Sequence, residues 1–261
     1  MCLIAFAWQL SPQQPLILLG NRDEFYARPA SPVRFWEDAP QVLAGRDEKE
    51  GGTWLGVTRA GRWAALTNYR EPGGMQPGEL SRGKLVADYL CGDIPPLALA
   101  ESVAQEAGRY NGFNLLVGDR LEAAVCSNRG TEPRRLEPGL YGLSNHLLDS
   151  PWPKTERLKS GLARQVTAGE PTVSQAADVQ ALLELLEDTT TADDADLPDT
   201  GVGLVWERLL GTAFIRSPMY GTRASTVLLL DGQRGRLVER TWVAGEPGEL
   251  TDIGFALTGV S

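Results

Sequence analysis

Two apolar runs, residues 3–8 and 16–19, flank the turn-forming segment Ser11-Pro12-Gln13-Gln14-Pro15, and Gly20 bounds the second run. This pattern predicts a β-hairpin. Centred near Pro12 or Gln13, antiparallel pairing sets Cys2 opposite Arg22 to Glu24, within side-chain reach on one edge of the sheet. A second hairpin is expected where 53–58 and 62–67 flank Ala60-Gly61. Its register places Gly52-Thr53 opposite Thr67-Asn68, so Asn68 falls at a strand end beside Gly51-Gly52, where glycine permits close backbone approach. Residues 113–117 and 121–126 form a third hairpin around Asp119-Arg120, and 140–143 adds a strand leading to Ser144-Asn145-His146.

Helical spacing covers 81–90 and 97–107, with Ser81 as N-cap of the first and Pro95-Pro96 between them. It returns over 152–186 in two pieces broken at Gly169-Glu170-Pro171, and briefly at 205–210. The run 188–200 is acidic, Thr-rich and patternless, which marks a solvated loop. Strands are expected again at 212–215, 225–230, 237–243 and 253–257, the last at an edge. Strands and helices come in blocks, with no internal repeat, heptad array or G-x-x-x-x-G-K phosphate loop, so an α+β class is expected over a doubly wound sheet. Two stacked antiparallel sheets between helical layers would bury these strands on both faces. The predicted architecture is a four-layer αββα sandwich, one domain spanning 1–261.

The composition supports a sizeable core, with 261 residues, 42% hydrophobic content and 7 Trp. A formal net charge of -9 argues against nucleic acid as a partner and favours a small-molecule or protein partner. No apolar stretch reaches the length of a membrane span, and the run 3–10 lacks a basic leader and a small-residue cleavage site; the expectation is a cytoplasmic chain. The three cysteines, Cys2, Cys91 and Cys126, form no C-x-x-C and fit reduced thiols, with Cys91 and Cys126 expected in the core. His146 is the only histidine, which removes histidine-rich zinc sites and disfavours a Cys2 to His146 dyad. No metal is expected.

Cys2 follows Met1 directly, and loss of Met1 would leave a thiol and a free α-amine on one residue. An α-amine has an unperturbed pKa of about 8, so it can take the thiol proton near neutral pH without a histidine. Arg22 is expected to lower the thiol pKa. On position alone, a second-residue Cys is more simply a small apolar residue that starts a buried strand.

Six motifs carry a family resemblance: Asn21-Arg22-Asp23-Glu24-Phe25, Gly51-Gly52-Thr53-Trp54-Leu55-Gly56, Leu66-Thr67-Asn68-Tyr69, Tyr110-Asn111-Gly112-Phe113-Asn114-Leu115, Tyr141-Gly142-Leu143-Ser144-Asn145 and Tyr220-Gly221-Thr222-Arg223. In this order, over most of the chain, they resemble the NRDE family, that of the transport and Golgi organisation protein 2. That family in turn resembles the cysteine type of N-terminal-nucleophile hydrolase, such as penicillin V acylase and bile salt hydrolase, which cleave carbon–nitrogen amide bonds and share the αββα fold. The resemblance implies a catalytic set of Cys2, Arg22, Asp23, Asn68, Asn145 and Arg223. In it Cys2 attacks the carbonyl and its amine shuttles the proton, Asp23 orients that amine, Arg22 and Arg223 stabilise the thiolate or an anionic substrate group, and Asn68 or Asn145 stabilises the oxyanion. No cofactor is required for such hydrolysis.

Each of these residues also has a structural role open to it. Asp23 with Arg22 or Arg28 reads as an ion pair, Asn68 and Asn145 as loop supports, Arg223 as a pin for its strand, and Glu24 as structural. The resemblance implies a competing class as well, a non-catalytic binding or trafficking protein, because members of the family are implicated in haem handling and lipid homeostasis. Haem would need an apolar slot with an axial ligand from His146, Cys2, Tyr141 or Tyr220, and an acyl chain would occupy the same pocket, with arginines at its acidic end. The state of Cys2 separates the classes: a hydrolase needs its free amine, whereas a carrier tolerates Met1.

Overall fold

The computed structural model describes residues 2–72, 79–169 and 171–259, which leaves the state of Met1 and the Glu170 part of the helix break outside it. The first hairpin forms as the pattern predicts: β1 (Cys2–Trp8) pairs antiparallel with β2 (Leu16–Phe25), and Cys2 lies opposite Arg22. The polar motif belongs to β2 and forms its last five residues. Next come β3 (Ala30–Phe35), β4 (Val42–Asp47), β5 (Leu55–Thr58) and β6 (Trp63–Asn68), then α1 (Arg82–Cys91) and α2 (Pro96–Gln105). Four strands follow, β7 (Phe113–Gly118), β8 (Ala123–Ser127), β9 (Thr131–Arg135) and β10 (Gly139–Leu143). The chain then runs through α3 (Pro153–Gly169), α4 (Ala176–Leu186), α5 (Leu204–Leu210), β11 (Tyr220–Leu230), β12 (Arg234–Val243) and β13 (Glu246–Ala256).

All the pairings are antiparallel, in a six-stranded sheet ordered β10-β1-β2-β11-β12-β13 and a seven-stranded sheet ordered β3-β4-β5-β6-β7-β8-β9. Strand alternation divides the apolar residues among three clusters. Ile4, Phe6 and Trp8 of β1 meet Leu55, Val57 and Trp63 between the sheets. Leu3, Ala5 and Ala7 face the other way, onto Leu158 and Leu162 of α3 and Leu182 of α4. The outer face of the second sheet is covered by Leu85, Val86 and Leu90 of α1 and by Ala100 and Val103 of α2. This is the expected αββα sandwich. Among the described residues, no helix is long and apolar enough to cross a membrane.

Three expectations change. The apolar segment 212–215 is not a strand: Ile215 N donates to Thr222 Oγ1 (2.9 Å), the Ile215 carbonyl accepts from Thr222 N (2.9 Å) and Phe214 N donates to the Asp188 carbonyl (2.9 Å), so its backbone is satisfied by one residue of β11 and by a loop rather than by a ladder. Cys91 is exposed, because it is the last residue of α1, whereas Cys126 is buried. Ser81 stands at the N-cap of α1 without a side-chain capping bond.

Trp63 is fully buried between the sheets, against Phe6 and Trp8 at centroid distances of 6.1 and 5.9 Å. It lies opposite Gly118, where a Cβ would come within 2.4 Å of the indole. Gly118→Ala is therefore expected to cost about 1–3 kcal/mol by overpacking, read as a lowered urea midpoint with an unchanged slope.

One carboxyl joins the two sheets. Glu239 of β12 accepts from Val33 N of β3 (3.0 Å) and from Thr226 Oγ1 of β11 (3.3 Å), and burial pushes its pKa up from 4.5 to about 7. Between those values the folded chain holds a proton that the unfolded chain has released, so stability rises as pH falls from about 7 towards 4.5 and is lowered throughout the range above 7. The difference is on the order of 3 kcal/mol. Urea melts at pH 5 and pH 8 should show that contribution in the wild type and lose it in Glu239→Gln; the same pH dependence in both proteins would contradict it.

Candidate active site

Cys2 opens onto a cleft of about 820 Å³ at the strand ends where the two sheets part. Its wall includes Cys2, Arg22, Asp23, Asn68 and Arg223, five of the six residues singled out above. The sixth, Asn145, is fully buried behind it and donates from Nδ2 to the Asn68 carbonyl (2.9 Å). Beside it, Ser144 Oγ donates to the Cys2 carbonyl (3.2 Å), fixing the start of β1 to the end of β10.

Alternation along β2 splits the charged motif between the two faces of the sheet. Arg22 and Glu24 share the inter-sheet face with Cys2, while Asn21 and Asp23 continue the row of Ile17 and Leu19 toward the helices. Asn21 Nδ2 donates to the carbonyls of Leu186 (2.7 Å) and Ala213 (2.8 Å), which ties β2 to the helical layer. On the cleft side, Arg22 Nη2 lies 3.4 Å from Asp47 Oδ2 and 3.9 Å from Glu24 Oε2, and Arg28 Nε reaches the same Asp47 oxygen at 2.5 Å. The ion pairs of Arg22 and Arg28 are thus with Asp47 and Glu24 rather than with Asp23. Burial works against the Asp47 charge, but Arg28, the Glu50 backbone N–H and Arg22 hold its carboxyl below the usual range.

Arg223 follows Thr222 at a bulge in β11, and its Nη1 donates to the carbonyls of Phe25, Tyr26 and Arg28, each at 3.0 Å. It lines the cleft and also shapes the loop after β2. Asn68 ends β6, and beside it Gly52 approaches the backbone of Gly83 so closely that a Cβ would come within 2.4 Å of it. That contact brings the first turn of α1, with Arg82, onto the cleft wall; Arg82 Nη1 donates to the Gly112 carbonyl (2.9 Å).

Cys2 is 6% exposed, and burial pushes its thiol pKa up to about 11, with the Asp23 charge adding to the rise. Arg22 and the backbone N–H of Asp23 act in the lowering direction, as expected of Arg22, but desolvation prevails. The resting thiol is neutral. Asp23 is 1% exposed and accepts from Thr222 Oγ1 (2.8 Å); burial raises its pKa, while Lys154, Thr222 and Arg70 work to lower it.

Of the haem-ligand candidates, Cys2 alone is on the cleft wall. His146 bonds through Nδ1 to Ser150 Oγ (2.7 Å) between Tyr69 and Trp152, Tyr141 donates to the Glu137 carbonyl (2.6 Å) and stacks on Phe6, and Tyr220 is buried edge-on to Phe25. Sequence reasoning did not single out Asp47, Lys154, Arg70 or Glu207. Lys154 had a signal: with Leu158 and Leu162 it follows the i, i+4, i+8 spacing of a buried helix face.

A family model described as Transport and Golgi organisation 2 matches residues 1–244. The Transport and Golgi organization protein 2 homolog of Bos taurus is 39% identical over 269 residues, covering 95% of this chain and 95% of that protein. The Homo sapiens homolog is 38% identical over 251 residues, covering 88% and 89%. Among solved structures, the C2A mutant of a conjugated bile acid hydrolase from Clostridium perfringens aligns with a TM-score of 0.52 over 97% of this chain and 92% of that one. At 9% identity the likeness is one of fold, that of the N-terminal-nucleophile hydrolases.

Proposed function

The chain belongs to the Transport and Golgi organisation 2 family, and we propose that it hydrolyses a carbon–nitrogen amide bond with Cys2 as nucleophile. One observation carries the reading: a buried strand-end thiol on the wall of a cleft, opposite an arginine and beside the strand that bears a buried carboxylate. The occurrence of the same fold in a protein named as a hydrolase agrees with it.

With Met1 removed, the Cys2 amine takes the thiol proton as Sγ bonds to the carbonyl carbon. The oxyanion collapses, the C–N bond breaks, and the leaving amine receives that proton. Water then attacks the thioester with the amine again as base, releasing the acid and the thiol. Burial works against a standing thiolate, so the amine freed on Cys2 is what draws the proton off as the sulfur attacks. Asp23 orients the amine, Arg22 faces the sulfur, and Arg223 shapes the wall that receives the acyl group. Asn68 donates to the oxyanion, steadied through its carbonyl by Asn145.

Intact mass of protein expressed without an N-terminal tag, before and after a β-lactone or activated-amide probe, tests the reading. It predicts loss of Met1 and a single adduct on Cys2 that is absent in Cys2→Ala. Retained Met1 with an inert Cys2 would overturn it and direct attention to haem and acyl-lipid titrations. If Asn68 serves the oxyanion, Asn68→Ala should slow acylation by about 10²–10³-fold while leaving Met1 removal unchanged.

A further inference from the structure

Among the described residues, five arginines line the cleft, and they differ in what holds them. Arg22 and Arg28 share Asp47, and Arg46 grips Asp38 through two bonds of 2.7 and 2.8 Å. Arg223 is committed to the three carbonyls of the loop after β2. Arg82 is the exception: among the described residues it makes no ion pair, and its one hydrogen bond runs from Nη1 to the Gly112 carbonyl (2.9 Å).

That bond fixes where the guanidinium lies. The Gly112 carbonyl also accepts from Tyr69 N (2.9 Å), so Arg82 stands beside the backbone of the residue that follows Asn68. At its other end the side chain is seated by the close contact of Gly52 with Gly83 in the first turn of α1. Glu71, whose Oε1 would stand 3.0 Å from a Cβ at Gly112, is engaged elsewhere, since Arg129 holds its carboxylate at 2.7 and 2.9 Å. Nε and Nη2 of Arg82 therefore donate to nothing among the described residues, and together they form the planar fork that takes a carboxylate through two parallel bonds. Half-burial in the cleft wall works against the charge of this arginine, and an anionic partner would restore it.

We propose that Arg82 is a specificity-determining residue, which holds a carboxylate, or an oxyanion of like geometry, carried by the substrate a few bonds from the scissile amide. The inference rests on the reading of Cys2 given above and names the class of amide, acidic rather than neutral. Because Asn68 serves the reacting carbonyl, an anion on the fork of Arg82 lies close to the bond that breaks. In a chain of formal net charge -9 the overall field does not draw anions in, so their recognition has to be local. An arginine already anchored through one nitrogen supplies it with little ordering left to do.

Two pairs of chromogenic amides test this with the Met1-free protein. The nitroanilide of succinic acid and that of its methyl ester differ in charge on the acyl side; N-butanoyl-aminonitrobenzoic acid and its methyl ester differ on the amine side. In at least one pair kcat/KM for amine release should favour the acid by about 10–100-fold, chiefly through KM, and that pair places the anion. Arg82→Gln should remove most of the preference, and Arg82→Lys, which keeps the cation but not the fork, should retain part of it. A guanidinium that only braced the Gly112 carbonyl would, on removal, slow acid and ester alike and leave their ratio unchanged. Equal kcat/KM within both pairs in the wild type, a result that needs no variant to fold, overturns the inference alone, as does a preference that survives Arg82→Gln. Failure of all four amides to acylate Cys2 overturns the Cys2 reading and the role of Arg82 with it.

Discussion

The register between β1 and β2 is the constraint on which the rest of the site depends. Pairing Cys2 with Arg22 brings the start of the chain against a motif twenty residues away, and the two-residue period of the strand then deals that motif alternately to two compartments. Arg22 and Glu24 go to the cleft with the thiol, while Asn21 and Asp23 go to the helices. A slip of one residue would exchange the sets, leaving arginine among apolar helix contacts and asparagine without its two carbonyl partners. The neighbouring elements secure the register: Ser144, the residue after β10, donates to the Cys2 carbonyl, and Thr222 of β11 donates to the Asp23 carboxylate.

Charge is handled differently on the two sides of the sheet. In the cleft, Arg22 and Arg28 converge on Asp47, and Arg223 is fixed by three carbonyls, so the guanidinium positions are set before any ligand arrives. On the helical side, Asp23, Lys154, Arg70 and Glu207 are all nearly inaccessible to water. Buried ionic groups of this kind seldom increase stability compared with apolar side chains of the same size. The three apolar clusters offset that cost, and the concentration of perturbed groups around one thiol is the pattern expected where proton transfer is organised.

Most of the fold was legible because its inner strands are apolar runs bounded by turn residues and its helices repeat cleanly. β3 and β9 were not, and they share a cause: each is an outer strand of the seven-stranded sheet and carries a proline, Pro32 and Pro133, which an edge tolerates and which breaks the sequence pattern. β4 has only three apolar residues before Gly45-Arg46-Asp47, so its run looked too short, and with it went Asp47, the anchor for two cleft arginines. The segment 212–215 misled in the other direction, since burial between layers makes an apolar run without any ladder. For the site, the motif residues nearest Cys2 could be read from one hairpin. The Arg70–Glu207 pair could not, because it joins residues 137 positions apart in elements whose packing no local pattern encodes.

The most direct test of the account is release of free amine from a panel of N-acyl amides by the Met1-free protein, compared with Cys2→Ala prepared in the same way. The account predicts amine release by the wild type on at least one acyl amide and none above background in Cys2→Ala. Equal release from both proteins, or none from either across the panel, would contradict it.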